Sequence, residues 1–198
     1  MLSRIAFALA AALLALGCGR AGTFEGEVAG NTLRVEDAVF FAAKDDAGNT
    51  AGALLIMADV PDFCGMFKAG HAPKNGTYVA FAVLQTQLSG ADLAFLAPDR
   101  GSYQVVDPES IVSAQTVPRG RFALGGFVKN DANCQSVVDT ASAVATSGTV
   151  GVEKIEFKNS GLMTGRFDVA FGSQNDGAKG TFNASFCDAD FLSSLSCG

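Results

Sequence analysis

Between Gly161 and Gly172, Met163, Phe167, Val169 and Phe171 fall on one parity while Thr164, Arg166 and Asp168 fall on the other. Residues 181–186 repeat the pattern, with Phe182, Ala184 and Phe186 alternating against Thr181, Asn183 and Ser185. Successive side chains of a strand point to opposite faces, so the alternation commits these segments to strands with one face buried and one in water. Asn175-Asp176-Gly177 lies between the two runs and Asn159-Ser160-Gly161 precedes the first. Such residues tolerate the positive φ that tight hairpin turns demand. Upstream, Val150 and Val152 share a parity that Ile155 and Phe157 do not, which predicts a bulge near Glu153-Lys154. The last third therefore reads as a three-strand antiparallel meander.

The first half is similar but more apolar. Candidate strands are 23–29, 33–43, 52–59, 77–86, 102–106 and 121–128, with turns at Asp45–Asn49, Lys74-Asn75-Gly76 and Pro98–Gly101. Ala53 to Met57 and Val79 to Leu84 are apolar on both parities, as expected of central strands covered on both faces. The helical candidates are short: Pro61 to Lys68, where Pro61 suits a first turn, and Asp188 to Leu195, where Asp188 suits a cap. Ala132 to Thr146 fits helix or strand equally. With 16 Phe, no Trp, no repeat and no second domain, about nine strands predict an all-β antiparallel sandwich over residues 23–198, with a barrel as the alternative.

The front of the chain is different. Met1 to Arg4 carry one positive charge, and every residue from Ile5 to Leu16 is apolar. That run is shorter than the roughly 20 residues that cross a bilayer core, and it fits a secretory signal. Leu14-Ala15-Leu16-Gly17-Cys18 resembles the lipobox of bacterial lipoproteins, with Ala15 where Leu is usual. The resemblance implies that residues 1–17 are removed, that the Cys18 thiol receives diacylglycerol and the new amino terminus is acylated, and that residues 18–22 form a tether. Gly19, rather than Asp, after the cysteine points to the outer membrane. Acyl chains contribute roughly 0.8 kcal/mol per buried methylene, so such an anchor holds without help from the protein surface. The segments Pro61–Cys64 (PDxC) and Gly180–Cys187 (GTFxAxFC) are also similar to those of many predicted, uncharacterised bacterial lipoproteins, a likeness that brings no activity.

Without residues 1–17 the chain has 13 basic and 20 acidic residues, a net charge of −7, and no basic run. This disfavours nucleic acid and anionic head groups as partners. Cys64, Cys134, Cys187 and Cys197 remain, an even count that in an exported chain reads as two disulfides. Of three connectivities, the expected one is Cys187–Cys197 closing a small terminal loop and Cys64–Cys134 joining distant strands. Zinc is disfavoured because no pair is spaced CxxC and the only histidine, His71, is remote in sequence.

Catalytic patterns are sparse. His71 lies within Ala69-Gly70-His71-Ala72-Pro73, a segment that reads as a solvated turn. GxSxG, HExxH, Walker and dinucleotide motifs do not occur, so no cofactor is expected. Asp59/Asp62 and Asp188/Asp190 are the carboxylate pairs that a hydrolase would need, but both flank predicted helix starts, where capping explains them. Asp45–Asn49 and Asn175-Asp176 carry oxygens suited to calcium, and turn formation explains them equally. The expectation is a non-enzymatic envelope module that binds a partner or ligand, with a carboxylate hydrolase as the alternative.

Overall fold

The computed structural model describes residues 21–90, 92–172, 176–189 and 196–197. Cys18, the turn residue Asn175, Asp190 and most of the expected 188–195 helix lie outside them. In chain order the elements are β1 (Gly22–Gly26), β2 (Asp37–Lys44), β3 (Thr50–Ala58), α1 (Phe63–Lys68), β4 (His71–Ala72), β5 (Thr77–Ser89), β6 (Asp92–Leu96) and β7 (Gly101–Val105). They continue as α2 (Pro108–Ala114), β8 (Gly120–Lys129), α3 (Thr140–Ala143), β9 (Ala145–Ile155), β10 (Leu162–Phe171), β11 (Asp176–Phe186) and β12 (Ser196–Cys197).

The architecture is all-β, but it is the alternative closed form and not the sandwich. Eight strands run β11-β10-β9-β7-β8-β5-β3-β2 and return to β11. The closing contact is a parallel pairing of only two positions, Ser185 with Val39 and Phe186 with Phe40. Local alternation looks the same in a sandwich and a barrel, so this single long-range pairing decides between them. Below it β11 is paired instead with β1, from Gly22 opposite Phe182 to Gly26 opposite Ala178. β1 thus completes the seam that β2 leaves open. The predicted meander is present as β9, β10 and β11. Its bulge falls where predicted: Gly165 faces Val152 and Thr164 faces Lys154, leaving Glu153 unpaired.

The lumen is filled by side chains, as a barrel of eight strands permits. Phe40, Leu55, Met57, Val79, Phe81, Phe127, Met163, Phe167 and Phe182 are all buried in one cluster. Phenylalanines lie over glycines, which leave room for them. A Cβ on Gly125 would come within 2.8 Å of the Phe81 ring, one on Gly180 within 2.9 Å of Phe167, and one on Gly165 within 2.6 Å of Phe182. β1 contributes Phe24, whose ring centroid is 6.0 Å from those of Phe127 and Phe167. A second cluster lies outside the wall of β2 and β3, where Phe63 and Phe67 of α1 cover Val39, Phe41 and Ile56. Burial on both faces explains why β3 reads as a continuous apolar run.

The disulfides overturn the expected connectivity. Cys64 is bonded to Cys187 and Cys134 to Cys197, with Cα separations of 5.7 and 5.6 Å. Cys187 follows β11 directly, and its backbone N–H donates to Phe40 O, so it sits on the outer wall beside α1 rather than near the chain end. Cys197 is instead brought to the Cys134 loop by β12, which pairs with β4. Sequence distance gave no hint of either neighbour.

Two further expectations shift in detail. Pro61 lies outside α1, whose N-cap is Asp62. The segment after β7 forms a helix that strand reasoning passes over, although Asp107-Pro108-Glu109 carries its signal. Asp107 caps it and accepts from Glu109 N–H at 2.9 Å, with Pro108 at the first helical position.

Candidate functional site

Of the sequence-predicted acids, Asp59, Asp62 and Asp45 each bind backbone N–H groups. Asp62 accepts from Gly65 N–H at 3.2 Å, and Asp59 accepts from Thr77 N–H at 2.6 Å. Asp37, not singled out by sequence, accepts from Phe63 N–H at 2.8 Å and so helps to seat α1. Asp45 folds its own loop by accepting from the N–H groups of Ala47 and Asn49, which hold its carboxyl below the ordinary range, the Asn49 N–H foremost. Asp188 lines a depression of about 670 Å3 with Lys44, Asp45 and Asp46. Among the described residues no group of three or more metal-ligating side chains converges.

His71 lies in β4 rather than in a turn, and stays exposed. Its Nδ1 is 3.1 Å from Ser196 Oγ, which is also 3.1 Å from the Gly70 carbonyl oxygen. When the hydroxyl donates to that carbonyl, Nδ1 carries a proton and donates to Oγ, which is the reverse of base activation. The pair ties β12 to β4.

The concave polar surface lies elsewhere, on the outer face of β1, β11, β10, β9 and β7. It forms a groove of about 740 Å3. Register builds it in cross-strand rows. One row reads Glu25, Lys179, Asp168, Thr149 and Gln104, and the next reads Thr23, Thr181, Arg166, Gly151 and Ser102. Gly151 opens a dip in the second row, against which the Arg166 stem lies: a Cβ there would sit 3.6 Å from Arg166 Cγ. The bulge turns Glu153 out onto the groove wall. In the first row Lys179 stands between two acids and pairs with Glu25 at 3.7 Å. In the second, Thr23 and Thr181 hydroxyls are 3.2 Å apart, while Arg166 makes no salt bridge among the described residues.

Chemically the groove offers the guanidinium of Arg166 and the ammonium of Lys179, several hydroxyls and the carboxylates of Glu25, Glu153 and Asp168, with no histidine or cysteine among its described lining residues. Sequence reasoning passes over it because Thr164, Arg166 and Asp168 read as an ordinary wet strand face. Only the register that sets them beside β1 and β7 makes a site.

No protein-family model matches the chain, and no curated protein and no solved structure matches it.

Proposed function

We propose that the chain is a lipid-anchored protein of the cell envelope, tethered through Cys18 to the outer membrane, whose barrel is a non-enzymatic binding module. The lumen is packed, so binding is assigned to the outer groove. Its ligand is a polar molecule or partner segment that offers a carboxylate and hydroxyls. The supporting observation is Arg166, whose guanidinium makes no salt bridge among the described residues and is set among threonine and serine hydroxyls. Guanidinium recognises carboxylate through two parallel hydrogen bonds, and hydroxyls add donors and acceptors of adjustable direction.

Two results test the reading. Radiolabelled palmitate is expected to enter the wild-type chain and not Cys18→Ala, which should leave the membrane fraction; unchanged attachment would refute the anchor. A photo-crosslinking residue at Ser102 is expected to capture an envelope component in living cells, and Arg166→Glu to abolish that capture. Capture indifferent to Arg166→Glu would remove the groove from the proposal.

A hydrolase is the second reading, favoured by Glu153 and Asp168 lining the same groove. Lys179 stands opposite Asp168 on the neighbouring strand. Turnover of an envelope glycan lost in both Glu153→Gln and Asp168→Asn would favour it.

A further inference from the structure

The charges that line the groove do not cancel in place. Arg166 and Lys179 stand against Glu25, Glu153 and Asp168, a net of −1. A ligand with a carboxylate alone is opposed by that surplus, whereas one that also carries a cation is not. Lys179 pairs with Glu25 at 3.7 Å and stands opposite Asp168. Arg166 and Glu153 have no opposite charge facing them across the strands: Arg166 lies between Gly151 and Thr181, and the bulge leaves Glu153 unpaired. Both are exposed, and neither makes a salt bridge among the described residues. Lys154, next to Glu153 in the chain, pairs instead with Glu156 at 3.0 Å.

Register sets the spacing of the two open charges. Arg166 faces Gly151, and Glu153 lies two residues further along β9 on the same groove wall. Two strand residues rise about 6.8 Å, so the two side chains are rooted roughly 7 Å apart along the strand direction. Gly151 puts no side chain between them, and Ser102, opposite Gly151 on β7, adds a hydroxyl to the gap.

We propose that the groove takes a zwitterionic ligand, with its carboxylate on the Arg166 guanidinium and an ammonium roughly 7 Å away on Glu153. This rests on the groove reading above and names the ligand's second charge. The two ends of an extended dipeptide have that separation, and so do the α-carboxylate and side-chain ammonium of a lysine-type amino acid. A single exposed ion pair contributes little, so both charges are needed to hold the ligand.

Saturation-transfer NMR on the full-length protein in detergent tests this with three probes: alanyl-alanine, Nα-acetyl-lysine and N-acetyl-alanyl-alanine. One or both of the first two are expected to bind. Preference for the dipeptide assigns the ammonium to a peptide end, and preference for acetyl-lysine assigns it to a side chain. The acetylated dipeptide keeps the carboxylate and loses the ammonium, and is expected to bind about fivefold more weakly, the upper range for one exposed ion pair. Arg166→Gln and Glu153→Gln should each weaken the zwitterion by about the same factor, with Glu153→Gln leaving the acetylated dipeptide unchanged. Both side chains are exposed, so an unaltered circular dichroism spectrum is expected of each variant. Equal binding of free and acetylated dipeptide, or zwitterion binding indifferent to Glu153→Gln, would overturn the inference; continued weakening by Arg166→Gln would leave the groove reading standing. Failure of every probe to bind would also overturn it. Capture from Ser102 that depends on Arg166 but not on Glu153 would then show the groove occupied by a ligand of another kind.

Discussion

Removing the Cys64–Cys187 bond with the paired change Cys64→Ser and Cys187→Ser is expected to cost about 4–5 kcal/mol in the chain-entropy account of cross-links. The two cysteines are 123 residues apart, so the bond removes much of the freedom of the unfolded chain. It also pins α1 to the wall beside the two-position seam. For a chain of this size each kcal/mol shifts Tm by roughly 2–4 °C, so the loss should approach 10–20 °C. The paired change Cys134→Ser and Cys197→Ser should cost less. Its 63-residue separation gives almost as large an entropic effect, but Cys197 lies in a two-residue strand at the chain end. Freeing it loosens the end without opening the barrel. Thermal unfolding followed by circular dichroism checks both; equal losses would show that the seam gains nothing from the bond.

Truncating Phe81 is the second large effect. Its side chain is fully buried, with its ring 5.3 Å from that of Phe167 and above Gly125. Phe81→Ala is expected to cost about 3–5 kcal/mol, the usual range for removing a buried aromatic ring. Gly125→Ala pushes a methyl into the same ring and should cost about 1–3 kcal/mol by overpacking. The two sites share one space, so their effects should not add. Phe81→Leu combined with Gly125→Ala should be more stable than the sum of the single changes implies, measured as midpoint shifts in urea. Strict additivity would show that ring and glycine are not complementary.

What the sequence made legible was whatever depends on neighbours along the chain. The parity of Met163 to Phe171, the bulge at Glu153, the turns at Asp45–Asn49 and Lys74–Gly76, and the double-sided burial of Ala53 to Met57 all follow from local alternation. Closure into a barrel rests on Ser185 meeting Val39 across most of the chain, and no local pattern encodes that meeting. The disulfides failed for the same reason: proximity in sequence favoured Cys187 with Cys197, whereas β11 carries Cys187 to α1. β6 was passed over because Asp92 to Leu96 is short and extends the sheet beyond the barrel, where alternation has no core to answer to. In the groove, the residue types were visible but their convergence was not. A threonine, an arginine and an aspartate on a wet parity become a site only when register places them beside Thr23 and Ser102.

The arrangement of the seam also orders events in time. Residues 22–26 and 39–40 find their partners on β11, at residues 178–186. A chain emerging from its N-terminus thus makes the first strands long before the strand that receives them. Loop closure over so many residues is slow, and until β11 is free the early apolar strands have an unfinished edge. The seam of the barrel therefore stays unsealed until β11 is available, whereas the sheet of β2, β3, β5 and β8 can pair before it.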